Sequence, residues 1–232
     1  ELGIYNGIPH LMIPVVTDPK KAAGALNWAV TEMSRRYNLF AEFNVKDLSS
    51  YNTKAKSLQG LAGEGEKDPE ILPQIVIIID EYGDFIMQAG KQVETPIARI
   101  TQKARAVGIH MILATQRPSV NIVTGVIKAN IPTRMALRTQ SVIDSRTVLD
   151  NKGAEQLIGR GDSLYAGNAS ITRVQCAFVD TPEVDAIVEH IKKQQHYFEP
   201  YQLPEYIGEG GEGEALAPGS VDLKRLDPMF AD

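Results

Sequence analysis

Two adjacent carboxylates, Asp80 and Glu81, follow an unbroken apolar run from Ile75 to Ile79. A run of that length without alternation reads as a strand buried on both faces, and it delivers both acids to one edge of a sheet. In a nucleotide-hydrolysing α/β domain the first such carboxylate holds magnesium through water and the second polarises the attacking water. A strand end is also commonly solvated by an acid, so the pair alone leaves both readings open. A second apolar stretch, IHMILATQ, ends in Thr115, Gln116 and Arg117. It places uncharged polar groups at the same edge, where ligands bind in open α/β folds and where a hydrogen-bonding residue can sense a terminal phosphate.

Charge is distributed unevenly. Between Arg99 and Arg146 eight bases face one acid, Asp144, so this stretch carries +7 and the remainder −12 within a net −5. A chain with one face for a polyanion has this asymmetry, because phosphate contacts dominate nucleic-acid affinity. Clustering around internal salt bridges is the alternative. The histidines, His10, His110, His190 and His196, lack metal-ligand spacing, and Cys176 is the single cysteine. That excludes an internal disulfide framework and a cysteine-cluster metal site, and it fits a reducing compartment, so the cytoplasm is the expected location.

The elements that must position these residues alternate. Asp18 and Pro19 open a long amphipathic helix whose apolar side runs through Ala22, Leu26, Ala29, Met33, Tyr37 and Phe40, with Arg35 and Arg36 outside it. Residues 49–74 are polar and glycine-containing and read as a surface connection with room for a broken helix inside it. Val93, Ile97, Ile100, Ala104 and Val107 predict a helix over Lys91 to Val107, closed by Gly108. A helical stretch around Val120 to Asn130 and a third strand, PTRMALR, follow, then short helical pieces, a closing pair of strands and a helix starting at Thr181. Strand and helix alternating at this spacing predict an α/β fold. From Glu199 onward the chain is acidic, rich in glycine and proline, and without periodicity, as in a linker. No run approaches the ~18 apolar residues of a membrane helix.

The stretch IVIIIDEYGDF…IARITQKARAVGIHMILATQRPSVNIVTGVIKANIPTRMALR…IDSRTVLD…GAEQLIGRGDSLY resembles the motor domain of the FtsK/SpoIIIE family of DNA translocases, as does GIPHLMIPVVTDPKKAAGALNWAVTEMSRRY before it. The resemblance spans roughly Glu1 to Ile191. It implies a RecA-like P-loop NTPase core, a mostly parallel sheet flanked by helices, that moves double-stranded DNA through a homo-hexameric ring using ATP and Mg2+ in chromosome segregation or DNA transfer. It also implies that Asp80 and Glu81 are the Walker B pair, with Asp80 on magnesium through water, and that Gln116 senses phosphate. Arg105 matches the arginine presented in trans to a neighbouring subunit's ATP, where a permanent planar charge stabilises the transferred phosphoryl group. The DNA-facing loops map onto Arg117 and Lys128 for the first and Arg146 for the second, all within the basic stretch found by charge.

Departures from the family pattern bear on activity. Val142 stands where many relatives have lysine, so the second loop is expected to grip phosphate less strongly. No GxxxxGK[ST] occurs; GEGEKD, from Gly63, fails because its lysine follows no glycine and no serine or threonine comes after it. The leading strand, phosphate loop and first helix are therefore expected to be absent, one flank of the sheet uncovered, and the chain alone inactive toward ATP. The expected organisation is a partial motor over 1–198 and a linker over 199–232, where LKRLDPMFAD resembles the lead into a winged-helix module. The family's membrane anchor has no counterpart in this chain. Rival readings are a protein-export ring ATPase of the same fold and a non-catalytic module that docks onto complete motor subunits.

Overall fold

A computed structural model describes residues 2–61, 67–167 and 170–194; the expected linker over 199–232 lies outside them. The first long element, α1 (Pro19–Glu42), begins where local chemistry requires. The Asp18 carboxylate accepts the amides of Lys20 and Lys21 at 2.7 and 3.1 Å, satisfying donors that helical bonding leaves unpaired, and Pro19 needs no donor there. Its buried face includes Leu26, Ala29, Met33 and Phe40, as the spacing predicts. Tyr37 instead lies at the margin and Arg36, expected outside, is 1% exposed. The polar segment after α1 does hold a helix, and that helix is packed rather than only a surface piece. This is α2 (Leu48–Leu58), capped by Asp47, which buries Tyr51 and Ala55 and stacks Tyr51 on Phe40.

Strands β1 (Ile75–Ile79) and β2 (Ile109–Leu113) pair in parallel, in register from Ile75 with Ile109 to Ile79 with Leu113. Between them run α3 (Tyr82–Ala89) and α4 (Lys91–Lys103). The predicted helix over Lys91 to Val107 thus ends four residues early, and residues 104–108 form a turn closed by Gly108 at φ +76°. One face of the pair, including Ile75 and Ile109, packs with α1 and α4 in the main core. Val76, Ile78 and Ile112 on the other face are 55%, 59% and 53% exposed, so these strands, expected from the unbroken apolar run to be buried on both faces, are buried on one face only, because no described element packs over the second.

After β2 come α5 (Gly125–Asn130) and β3 (Arg134–Leu137), then α6 (Val142–Leu149), β4 (Asp162–Gly167), β5 (Ser170–Gln175) and α7 (Thr181–Lys192). Among the described residues β3 does not extend the parallel pair. It pairs antiparallel with β4, which pairs antiparallel with β5. The reason is a second small core: Ala136 of β3 packs with Leu149, Ala154 and Leu157 from α6 and the turn after it. The α/β class stands, with its parallel part formed by β1 and β2. Asp180 and Glu183 form a capping box that starts α7, which buries Val188 while Ile187 is 58% exposed.

Candidate functional site

Parallel pairing carries the ends of β1 and β2 to one edge. Beyond the strands, Ala114 N–H donates to Ile79 O at 2.9 Å and Tyr82 N–H donates to Ala114 O at 2.7 Å, holding the two exits together. Asp80 is exposed there, and its carboxylate accepts the Glu81 amide at 3.2 Å. Glu81 occupies the left-handed region at φ +45°, a conformation unfavourable for a side chain with a Cβ. Its carboxylate contacts offset that strain. Thr115 Oγ1 donates to Oε1 at 2.7 Å and the Gln116 amide donates to Oε2 at 2.8 Å. Desolvation pushes the Glu81 carboxyl up, but the Gln116 amide, the Thr115 hydroxyl and the charge of Arg117 outweigh it and hold the group below its ordinary value.

The next residue but one has to be glycine. A Cβ on Gly83 would lie 2.9 Å from Ile122 Cδ1, 3.0 Å from Glu81 Oε1 and 3.2 Å from Thr115 Oγ1. Tyr82 anchors the start of α3; burial, with the charge of Glu94, pushes its hydroxyl up to about 12, so it stays a neutral phenol. Arg117 extends outward with two-thirds of its side chain exposed and sits 3.5 Å from the Asp84 carboxylate. The Gln116 side chain is exposed at the same edge. Asp80, Glu81, Gln116 and Arg117 are thus brought together with Thr115, as the ends of the two apolar runs predict, and Gly83 and Asp84 are neighbours that residue types alone do not single out.

Arg105 lies elsewhere. It precedes β2 whereas Gln116 follows it, so the two stand at opposite ends of a five-residue strand, on the order of 17 Å of backbone. The exposed Arg105 sits in a turn held from three sides. Tyr37 Oη donates to the Lys103 carbonyl, the Leu48 amide donates to Ala106 O at 3.0 Å, and Arg36 Nη1 donates to Val107 O at 2.8 Å. An open polar groove including Asn52, Lys56, Lys103 and His110 borders it.

The remaining basic residues divide. Lys128 Nζ pairs with Asp150 at 2.7 Å with only 20% of its side chain exposed, and Arg134 pairs with the same carboxylate. Asp150 lies just past the basic stretch from Arg99 to Arg146, so part of that stretch's +7 is neutralised within the fold. Arg146 is exposed on α6, and Val142 begins that helix. Among the described residues, no group of three or more His, Cys, Asp or Glu side chains gathers to hold a metal ion, and no helix is long and apolar enough to cross a membrane. Asp80 nevertheless has the donor chemistry that a water-mediated magnesium contact requires: an exposed hard oxygen at a strand end.

The FtsK/SpoIIIE family model matches residues 1–120, which include β1, β2, the carboxylate pair, Arg105 and Gln116. The chain is 54% identical over 197 residues to the DNA translocase FtsK of Clostridium tetani, covering 84% of this chain and 25% of that protein. It is 50% identical over 251 residues to the DNA translocase FtsK of Pseudomonas aeruginosa, covering 99% of this chain and 31% of that one. It therefore spans about a quarter to a third of the length of these curated relatives. Among solved structures, it is similar to the monomer form of the pCW3 conjugation coupling protein TcpA with ATPγS. The TM-score is 0.66 at 26% identity, over 77% of this chain and 49% of that one. The cytoplasmic domain of the type VII secretion ATPase EccC of Thermomonospora curvata shares the fold, with a TM-score of 0.69 at 21% identity over 86% of this chain and 23% of that one. With a family model covering more than half its length and relatives at this identity, the chain belongs to the FtsK/SpoIIIE family.

Proposed function

We propose that this chain is part of an ATP-driven motor that moves double-stranded DNA through a homo-hexameric ring on the cytoplasmic side of a membrane, in chromosome segregation or DNA transfer. The observation that carries the reading is that the parallel pair places Asp80, Glu81 and Gln116 at one edge and Arg105 at the other. On this reading 1–198 is the motor portion and 199–232 a linker.

The substrate is ATP. Asp80 would hold a magnesium ion through water, and that ion supplies charge neutralisation on the phosphate oxygens. Glu81 orients the attacking water and draws on its proton as the water oxygen bonds to the terminal phosphorus and the bond to the leaving ADP oxygen breaks. The Gln116 side chain hydrogen-bonds the terminal phosphate. Arg105 acts on the nucleotide of a neighbouring copy, since its own carboxylate edge is a strand's length away. Arg117 and Arg146 meet DNA phosphates, contacts that position without reading sequence. Lys128 serves better as a brace for Asp150 than as a free phosphate ligand. With no phosphate-loop motif, this chain by itself should not turn over ATP.

The test is magnesium-dependent ATP hydrolysis by this chain and by the full-length gene product, with and without long double-stranded DNA. Hydrolysis by the full-length product alone, stimulated by DNA, supports the reading; indifference of both to DNA overturns it. The shared fold with EccC keeps a protein-export ring in view. DNA affinity that falls steeply between 50 and 200 mM salt, as counterion release demands, excludes it. A chain that only docks onto complete motors would bind full-length copies and leave DNA affinity unchanged when Arg117 is removed.

A further inference from the structure

The carboxylate proposed to work on the attacking water is not open to solvent on all sides. Both Glu81 oxygens receive hydrogen bonds from the segment leaving β2, one from the Thr115 hydroxyl and one from the Gln116 amide. Thr115 has a single hydroxyl proton, and it goes to Glu81. The lone pair left on Thr115 Oγ1 accepts the backbone amide of Arg117 at 3.1 Å. The result is a directional chain: Arg117 N–H to Thr115 Oγ1, and Thr115 O–H to Glu81 Oε1. At its outer end, the Arg117 guanidinium rests 3.5 Å from Asp84, an exposed pairing that a phosphate can displace.

The loop after Arg117 is compact. The Ser119 amide donates to Arg117 O at 2.8 Å, and Ile122 and Val123 donate to Ser119 O at 3.0 and 2.8 Å. Ile122 is buried against Gly83, and its Cδ1 lies only 2.9 Å from where a Cβ on Gly83 would sit. The loop is therefore seated at two points, both beside Glu81. It cannot shift as a unit without disturbing the hydrogen bonds that hold that carboxylate.

We infer that Thr115 is a positioning residue that couples the Arg117 loop to Glu81, keeping the carboxylate occupied until a phosphate of double-stranded DNA draws Arg117 away from Asp84. Withdrawal of the Arg117 amide lets the Thr115 hydroxyl turn, and one Glu81 oxygen becomes available. This rests on the role proposed for Glu81. It adds the route by which DNA at one residue governs chemistry at another.

Two arms test it. In the full-length gene product, ATP hydrolysis is measured with and without long double-stranded DNA for the natural protein, Thr115→Ser and Thr115→Val. Serine keeps the hydroxyl and should keep the stimulation ratio. Valine keeps the shape but loses the hydroxyl; its rate without DNA should rise and its ratio fall on the order of tenfold, the scale of one hydrogen bond to a charged group. An unchanged ratio in Thr115→Val overturns the inference, as does a loss equal with and without DNA. If the natural full-length protein shows no stimulation, the motor reading fails, and a second arm judges the coupling on this chain. There, NMR follows the Glu81 carboxyl carbon and the Arg117 amide as a 30-base-pair duplex is added. Both signals should move in the natural chain, and only Arg117 in Thr115→Val, or in Thr115→Ala should the valine form not fold. A Glu81 signal that ignores DNA, or that follows it equally without the hydroxyl, overturns the coupling.

Discussion

Arg36 allows a sharp prediction, because its charge is buried and all its listeners are known. The guanidinium, 1% exposed, donates from Nε to Glu32 Oε1 at 2.8 Å and from Nη1 to the carbonyls of Pro73 and Val107, each at 2.8 Å. Those carbonyls precede β1 and β2, so one side chain ties α1 to the start of both parallel strands. Arg36→Met keeps the apolar stem and removes the head. Two carbonyls lose their donor in a closed environment, and the buried Glu32 loses one of its two arginines. Removing one partner of a buried pair costs about 3–5 kcal/mol, and hydrogen bonds from a charged donor are individually worth about 1.5–3 kcal/mol.

Because Arg35 still holds Glu32 through Nε and Nη2 at 2.7 and 2.9 Å, the carboxylate is not stranded, and the lower half of that range applies, about 3–4 kcal/mol. Urea unfolding reads this directly. At a slope near 3 kcal/mol/M the midpoint should fall by about 1 M or slightly more, with the slope unchanged. The double variant Glu32→Leu with Arg36→Met should cost less than the sum of the two single changes, since neither then leaves a buried charge behind. A midpoint shift under about 0.3 M for Arg36→Met would refute the reasoning, because it would mean that the guanidinium is hydrated rather than bonded to these carbonyls.

The Asp162 carboxyl is held at about 2 by the Arg173 guanidinium first and the Ile158 amide next, against its desolvation. A folded value below the unfolded one, about 3.9, means that this stabilisation is complete above pH 4 and is lost as pH falls from there toward 2. Asp162→Asn should flatten unfolding midpoints measured across that window; an unaltered acid profile would show the pair contributes nothing. Gly108→Ala should destabilise by about 2–4 kcal/mol, since its φ of +76° disfavours a side chain and its Cβ would fall 2.2 Å from Leu48 Cδ2. For a chain of this size the melting temperature should drop by roughly 5–10 °C, and an unchanged one would contradict the packing described.

Local signals were legible where partners are near in sequence. Asp18 and Pro19 start α1 because cap and helix are adjacent, and five consecutive apolar residues leave β1 few alternatives. What distant partners decide could not be read. Arg36 looks like a surface residue on a helical wheel until its carbonyl acceptors, at positions 73 and 107, are known; only the i, i+4 spacing from Glu32 hints at it. Lys128 counted as a free base because its partner, Asp150, lies beyond the basic stretch. Thr115 passed as one polar residue among three, since its role depends on the backbone of Arg117 and on the left-handed turn at Glu81. The pairing of β3 with β4 was hidden for the same reason. Each strand is short, and a second core selects the partner.

The two edges of the β1–β2 pair limit how such a unit can work. Arg105 is exposed before β2, Gln116 and the carboxylates lie after it, and the strand between them is too stiff and too long for one copy to close the gap. If Arg105 serves a nucleotide, that nucleotide belongs to another copy, whose own arginine must serve a third. Such contacts use two different surfaces of the same chain, so they form a head-to-tail interface, which closes into a ring or continues as a filament. The bracing of the Arg105 turn from α1 and α2 then acquires a purpose. A side chain that must reach across an interface needs its backbone fixed within its own fold, and Tyr37, Leu48 and Arg36 fix it at the carbonyls of Lys103, Ala106 and Val107, on both sides of residue 105.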